Sequence, residues 1–159
     1  MERILDQYPI VVEQSVVWSD MDAHGHVNNM IYLRYMENGR VEYYNRIGKF
    51  SLEEQTGITL VIKSMTCRYL SSLSYPDTIA IGARVKKIGG DHMVMEYVVV
   101  NRSRVQVAAK GEATIVAVRV ADYTKVSFPD ALKERIVALQ TELSGHADSS
   151  FDDPSGSNT

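Results

Sequence analysis

Asp20-Met21-Asp22-Ala23-His24-Gly25-His26-Val27-Asn28-Asn29 runs without a break into Met30-Ile31-Tyr32, and the reading of this junction decides the fold. The ten residues hold two carboxylates, two imidazoles, a glycine and two side-chain amides. Downstream, Tyr32, Met36, Gly39, Tyr43 and Ile47 recur at steps of three and four, which predicts one helical face from about Asn29 to Gly48. Asn28 or Asn29 suits the N-cap, and Gly48 suits the stop. Gly39 costs such a helix about 1 kcal/mol against alanine, so a close approach by a sheet or a neighbouring backbone is a reason to keep it. Upstream, residues 9–19 read as a first strand carried by Val11, Val12, Val16, Val17 and Trp18. The polar stretch therefore sits where a strand gives way to a helix. Free N–H groups at a helix start favour a developing negative charge, and the carboxylates offer a base or a nucleophile.

Working outward, four strand-like runs follow at roughly 58–73, 77–88, 92–102 and 105–120. Turn signals separate them at Ser74-Tyr75-Pro76-Asp77, Gly89-Gly90-Asp91 and Asn101-Arg102-Ser103-Arg104. Ile79, Ile81, Ala83 and Val85 alternate with Ala80, Gly82, Arg84 and Lys86, as a half-buried strand should. The run 93–100 is apolar on both faces except for Glu96, which predicts that one side meets the long helix and the other a partner subunit or ligand. Pro129-Asp130 opens a short helix with Leu132, Ile136, Leu139 and Leu143 on one stripe. The order is strand, long helix, four antiparallel strands, short helix. A single helix of about five turns beside a five-stranded sheet implies that the sheet wraps the helix, in the α+β class.

The 159 residues suit one domain with a single core over residues 1–145. From His146 to Thr159 the composition turns to Ser, Asp, Gly and Pro, which predicts a disordered tail. A net charge of −3 gives no global attraction for nucleic acid or an anionic membrane, so any anionic ligand must be held locally. Basic residues do gather at Lys63, Arg68, Arg84, Lys86, Lys87, Arg102, Arg104 and Lys110, and the simplest reading of them is solvated strand faces. The lone Cys67 excludes an internal disulfide and a cysteine-rich zinc site, and reads as a small packing residue. The start Met1-Glu2-Arg3-Ile4-Leu5-Asp6 has no apolar signal core and no window approaches a membrane span, so the cytoplasm is the expected compartment.

Three chemistries compete for residues 20–29. Asp20, Asp22 and His24-Gly25 begin like a calcium loop, but the twelfth position, where a bidentate glutamate is needed, is Ile31, and a strand precedes the loop instead of a helix. A transition-metal site from His24, His26 and a carboxylate lacks a third histidine nearby, because His92 and His146 are remote. Acid–base or nucleophilic chemistry remains. Against it stands the plain reading of Asp20 and Asp22 as turn residues and of Asn28 and Asn29 as helix caps. No Gly-x-Ser-x-Gly elbow occurs, so a carboxylate would have to carry the reaction.

The stretch from Trp18 to Glu37 closely resembles the start of hot-dog-fold acyl-CoA thioesterases, in the branch related to 4-hydroxybenzoyl-CoA thioesterase. That branch shows an Asp-x-Asp-x-x-Gly-His-Val-Asn-Asn-x-x-Tyr pattern entering its central helix, matched here from Asp20 to Tyr32. The similarity in element order covers about residues 10–130. It implies a hot-dog fold, a five-stranded antiparallel sheet around one long central helix, in agreement with the order read from the pattern.

The resemblance also implies roles. Asp22 aligns with the catalytic carboxylate, which attacks a thioester carbonyl or activates a water that does. Backbone N–H groups near Asn28 and Asn29 would hold the oxyanion, and Gly25 would let the loop come close to the substrate. Asp20 would brace the loop, while His24 and His26 would pack or hydrogen-bond within it. Tyr32 and Tyr35 are candidates to line an acyl tunnel, although aromatic residues at helical spacing more often form core. Such enzymes place their sites at a dimer interface, so a homodimer or homotetramer is expected, with Glu37 either near the neighbouring site or a structural acid. Lys86 and Lys87, before the Gly89-Gly90 turn, are the candidates for the coenzyme phosphates. In that turn this chain has Gly90-Asp91-His92 where the family often has Gly followed shortly by Ser. The implied reaction needs no metal and no organic cofactor. The expected substrate is an acyl-CoA, long-chain fatty acyl first, with a non-catalytic acyl-CoA or acyl-carrier binding module and a hydroxyacyl-thioester dehydratase as alternatives.

Overall fold

The structure is a computed structural model and describes residues 2–143; the segment 146–159, expected to be a disordered tail, lies outside the described residues. Helix α1 (Glu2–Leu5) leads into strand β1 (Ile10–Ser15), a 3-10 turn at Trp18–Asp20, and helix α2 (Asn29–Arg46). Helix α3 (Lys49–Thr56) follows, then β2 (Ile58–Tyr69), β3 (Thr78–Ile88), β4 (His92–Asn101), β5 (Gln106–Arg119), β6 (Lys125–Val126) and helix α4 (Asp130–Leu143). The strands pair antiparallel in the order β1-β3-β4-β5-β2. The two residues of β6 add to β5 at Ala117 and Val118, just beyond the stretch that pairs with β4. The fold class follows the sequence reading, and the expected elements occur in the expected order, with α1, α3 and β6 as additions.

Helix α2 is what the sheet curls around. Its buried residues Tyr32, Tyr35, Met36, Gly39, Arg40, Tyr43 and Tyr44 form one face. The apolar members of that face share a core with Ile79, Ile81, Ala83, Met93, Met95, Tyr97, Ala113 and Ile115 of the sheet. Two glycines let the backbones approach. A Cβ on Gly39 would stand 3.0 Å from Ile81 Cγ2 and 3.3 Å from Ala83 Cβ. On the facing strand, a Cβ on Gly111 would stand 2.5 Å from Met36 Sδ and 2.8 Å from the Thr66 carbonyl oxygen. The expected close approach at Gly39 is therefore present. Its counterpart at Gly111 carries the tighter fit.

Four expectations are corrected. The first strand does not reach residue 19: β1 ends at Ser15, and Val17 and Trp18 are exposed in the turn that follows. Gly48 does stop α2, in the left-handed region at φ 67, but α3 begins at once where a short link was expected. The strand β3 is not half-buried over its first half, because Ala80 and Gly82 are covered as fully as Ile79 and Ile81. What covers them, and the second face of β4, is the chain's own N-terminal segment and not a partner or a ligand. Leu5 and Tyr8, with Ile4 beside them, pack on Ala80, Val98 and Val100. The Tyr8 hydroxyl donates to Glu96 Oε1 at 3.1 Å, and Arg84 reaches the same oxygen at 2.6 Å while lying over the Tyr8 ring. Glu96, the one charged residue in an apolar run, is thus the polar clasp of that segment.

Helix α4 starts at Asp130 after Pro129, as expected, and buries Leu132, Ile136 and Leu139. It also closes a gap in the ladder. A bulge between Val85 and Lys87 frees the Val85 N–H, which donates to Gln140 Oε1 at 3.2 Å, and the Tyr43 hydroxyl donates to the same oxygen at 2.8 Å. Among the described residues no helix is long and apolar enough to cross a membrane.

The unequal fits at the two glycines set an expected ranking. Gly111→Ala should lower the unfolding free energy by about 1–3 kcal/mol through overpacking against a backbone carbonyl. Gly39→Ala should be near neutral, because about 1 kcal/mol of helix propensity offsets a milder contact. Urea or thermal unfolding of the two variants checks the order.

Candidate active site

The segment between β1 and α2 folds back on itself as a miniature hairpin. Asp22 N–H donates to the His26 carbonyl at 2.7 Å, Asn28 N–H donates to the Asp20 carbonyl at 3.0 Å, and Met21 and Val27 pair between them. Gly25 turns the tip at φ 76, a conformation in which L side chains are strained; open space surrounds its missing Cβ, so backbone freedom and not crowding asks for glycine there. The Asp22 carboxylate is built into this turn. Its Oδ1 accepts from the His24 N–H at 2.9 Å and, more weakly, from the His26 N–H at 3.4 Å. The carboxylate is exposed, its orientation is fixed by the backbone, and Oδ2 carries no such bond.

At the helix start Asn28 is the cap. Its Oδ1 accepts from Met30 N–H at 3.0 Å, and its carbonyl accepts from Ile31 N–H at 2.9 Å. Because Asn28 N–H is spent on Asp20, the two asparagines differ in what they can offer. Asn29 N–H is the first-turn donor with no acceptor among the described residues, and it lies where a helix start favours negative charge. Asp20 contributes its backbone carbonyl to this arrangement. His24 and His26 are exposed and lend their backbone N–H groups to Asp22. Tyr32 and Tyr35 are 3% and 1% exposed and belong to the core cluster, so in the single chain they pack and do not line an open tunnel. Glu37 is exposed and lies 3.7 Å from the Arg40 guanidinium one turn on.

Sequence reasoning missed the cradle under this loop. The end of β2 and the connection to β3 hold it at four points: Tyr69 hydroxyl to the Asn29 carbonyl at 2.9 Å, Val27 N–H to the Leu73 carbonyl at 2.8 Å, Ser74 hydroxyl to the Gly25 carbonyl at 2.9 Å, and Tyr75 N–H to Met21 Sδ at 3.3 Å. In the sequence Ser74-Tyr75 is visible only as a turn signal. On the loop side every one of these bonds uses a backbone group or a sulfur, which no pattern of residue types announces. An open depression beside this cradle is lined by Tyr75, Asp77 and Arg102, among others, but by none of Asp22, Asn28 and Asn29. Its polar groups are engaged: Arg102 with Glu13, and Asp77 with the Ser103 hydroxyl.

The expected phosphate cations are elsewhere. Ser15 at the loop end of β1 faces Thr78, the first residue of β3, whereas Lys86 lies eight residues further along that strand. At about 3.4 Å per residue this is about 27 Å along β3 from the residue that faces the end of β1. Lys86 is also committed: it pairs with Glu112 and lies 3.8 Å from Glu96, and the Glu112 bond holds its ammonium pKa above the usual value. Lys87 follows the bulge and is exposed. The acid in the next turn is neutralised locally. His92 and Lys125 both bond Asp91, at 2.9 and 3.0 Å, and hold its carboxyl down at about 2. Cys67 packs against the core and burial pushes its thiol pKa up, as a packing residue requires. No group of three His, Cys, Asp or Glu side chains that could hold a metal ion occurs among the described residues.

Similarity to known proteins identifies the family and the fold. The thioesterase-like superfamily matches residues 16–136, and the chain belongs to that family, whose activity is thioester hydrolysis. A solved structure described as a thioesterase complexed with coenzyme A and Zn, from Thermus thermophilus, is 32% identical and superposes with a TM-score of 0.74 over 85% of this chain and 96% of its own. The uncharacterized protein YsmA of Bacillus subtilis is 26% identical over 77% of this chain and 82% of its own length. The chloroplastic acyl-acyl carrier protein thioesterase ATL3 of Arabidopsis thaliana is 32% identical over 54% of this chain, a match that spans 48% of that protein. The fold is that of the hot-dog thioesterases.

The cap is testable apart from any activity. Asn28→Ala should cost about 1 kcal/mol of stability, and Asn28→Asp, which keeps the acceptor, should recover most of it. Chemical unfolding of both variants against the parent chain measures this.

Proposed function

We propose that this member of the thioesterase-like superfamily hydrolyses acyl-CoA thioesters to the free acid and coenzyme A, with Asp22 as the reacting carboxylate. The observation that carries the proposal is the division of labour in the loop: one oxygen of Asp22 is held by backbone N–H groups and the other is left for chemistry. Oδ2 either takes a proton from the attacking water or adds to the thioester carbonyl itself, in which case the C–S bond breaks, the thiolate leaves, and water hydrolyses the resulting mixed anhydride to the free acid and the Asp22 carboxylate. In the first route the new C–O bond forms to water oxygen, the carbonyl electron pair moves onto oxygen, and Asn29 N–H meets that charge. Collapse restores the carbonyl, breaks the C–S bond and releases the thiolate, which is protonated as it leaves.

The rest of the reading follows from what one chain leaves open. Asp22 is exposed, and so are Met30, Leu33 and Val41 on α2. The strand β2 ends the sheet order with an unpaired edge over its twelve residues, an edge that natural sheets pair or cover. A second copy of the chain set against this side would close the pocket, so the active species is a homo-oligomer, with the coenzyme phosphates held by cations of the neighbouring copy. The exposed apolar residues Trp18 and Met30 at 69% and 74%, flanking the loop, favour an aliphatic acyl group. The relative named for acyl-carrier-protein thioesters makes a carrier protein the competing thiol carrier.

The test is thiol release from a panel of aliphatic and aryl acyl-CoAs, with a no-substrate blank because Cys67 can react with the thiol reagent. Wild-type turnover should fall by about a thousandfold or more in Asp22→Asn, with circular dichroism and oligomeric state unchanged. Asp20→Asn should lose far less. Equal turnover in wild type and Asp22→Asn would remove Asp22 from the mechanism, and turnover only with acyl-carrier-protein substrates would change the carrier.

A further inference from the structure

We infer that Tyr69 is a positioning residue for the reaction: from the edge strand β2 its hydroxyl fixes the residue that presents the Asn29 N–H to the developing oxyanion. The inference rests on the hydrolytic reading above. Around Asn28 and Asn29 nearly every backbone group is engaged. Asn28 N–H is on the Asp20 carbonyl and Asn28 C=O takes Ile31 N–H. Asn29 C=O takes the Tyr69 hydroxyl at 2.9 Å, and the Met30 N–H of that same peptide is on Asn28 Oδ1. The single donor left over is Asn29 N–H, held from both ends. Three of these anchors come from within the loop and helix themselves. Among the described residues Tyr69 alone reaches Asn29 from another element, forty residues away.

The Tyr69 side chain is braced for the task. Its ring stands edge-on to Tyr32 with centroids 5.1 Å apart, and Tyr32 in turn packs edge-on to Tyr35 at 6.0 Å. These two helix residues are buried at the core, so the aromatic chain ties the hydroxyl to the rigid part of the fold. Burial and the neighbouring Cys67 hold the phenol pKa above its usual value, so the hydroxyl remains a donor across the neutral range. A small displacement of an oxyanion donor is felt in the rate and not in ground-state binding, because the charge it serves appears only as the reaction proceeds.

Tyr69→Phe keeps the ring and removes only the hydroxyl. Three quantities are to be compared with wild type on the best acyl-CoA of the panel: kcat, KM and the midpoint of thermal unfolding. A fourth, the ¹⁵N–¹H signal of Asn29, reports on the donor itself with or without added coenzyme A. The expected result is a fall in kcat of about tenfold at unchanged KM, an unfolding midpoint within a few degrees of wild type, and a shifted Asn29 signal. A raised KM at unchanged kcat would make Tyr69 a substrate contact and overturn the inference. So would wild-type values for kcat and for the Asn29 signal, or loss of activity only in proportion to unfolded protein. Failure of the hydrolytic reading looks different: wild type and Asp22→Asn alike would show no turnover on any substrate, whereas failure of this inference alone leaves wild type active, Asp22→Asn inactive and Tyr69→Phe at the wild-type rate.

Discussion

The contact on which the rest depends is the crossing of α2 over the sheet at Gly39 and Gly111. Interiors pack at near-crystalline density, so the separation of helix and strand at one point sets the position of the whole helix. With Met36 lying on the bare Cα of Gly111 and Ile81 against Gly39, the helix is held close and its tilt is fixed. Its N-terminus at Asn29, nearly three turns up the axis from Gly39, is delivered to the end of the sheet where β1 leaves and β3 begins. A larger residue at Gly111 would press on Met36 and the Thr66 carbonyl, lift the helix and take the Asn28–Asn29 turn away from the Tyr69 and Leu73 groups that grip it, whereas at Gly39 a methyl group meets only side chains that can give. Gly111 thus decides where the loop can be.

Much of this was legible because it is written in local pattern. Steps of three and four gave α2 to within two residues, the asparagine cap was named, and the turn residues divided β2 to β5 within a few residues of their observed ends. The Asp22 loop was legible as a dense polar motif at a strand–helix junction. What was not legible depends on partners distant in sequence. The α3 residues Lys49 to Thr56 carry no strong apolar stripe. That helix is held instead by Leu52 in the core and by Lys49, which bonds Glu53 and Thr59. The apolar second face of β4 announced a cover without saying which, and the answer, Leu5 and Tyr8, comes from a segment whose own pattern is too short to read.

Charge tells a similar story. A sequence shows that Lys86 is basic and close to a glycine turn, but not that Glu96 and Glu112 stand within its reach on the next two strands. Cross-strand pairing sets Lys86, a candidate for the coenzyme phosphates by resemblance, in a network of matched charges. The same holds for Asp91 in the turn before β4, whose charge is matched by Lys125 from β6. Arg68 and Lys110 are the contrasting case. They stand directly opposite each other across β2 and β5, like charges that sheet pairing alone disfavours, and no acid among the described residues bonds either.

The chemistry of the loop turns on water. A carboxylate that acts as base or nucleophile gains reactivity when solvent is kept from it, and a lone amide donor stabilises an oxyanion well only where the local dielectric is low. In the single chain the Asp22 carboxylate is open, while Val27 and Tyr32, further along the same stretch, are buried. The floor of the site is therefore complete and its roof is not. Among the described residues nothing covers it, and the exposed apolar residues Trp18, Met30 and Tyr75 are suited to be covered by the acyl chain or second copy of the proposed assembly and ill suited to water. Tyr69 belongs to both sides of this division, since its strand is the open edge of the sheet and its hydroxyl ends on the floor. If the proposed second copy pairs with that edge, the order of the site and the completion of its roof fall on one strand.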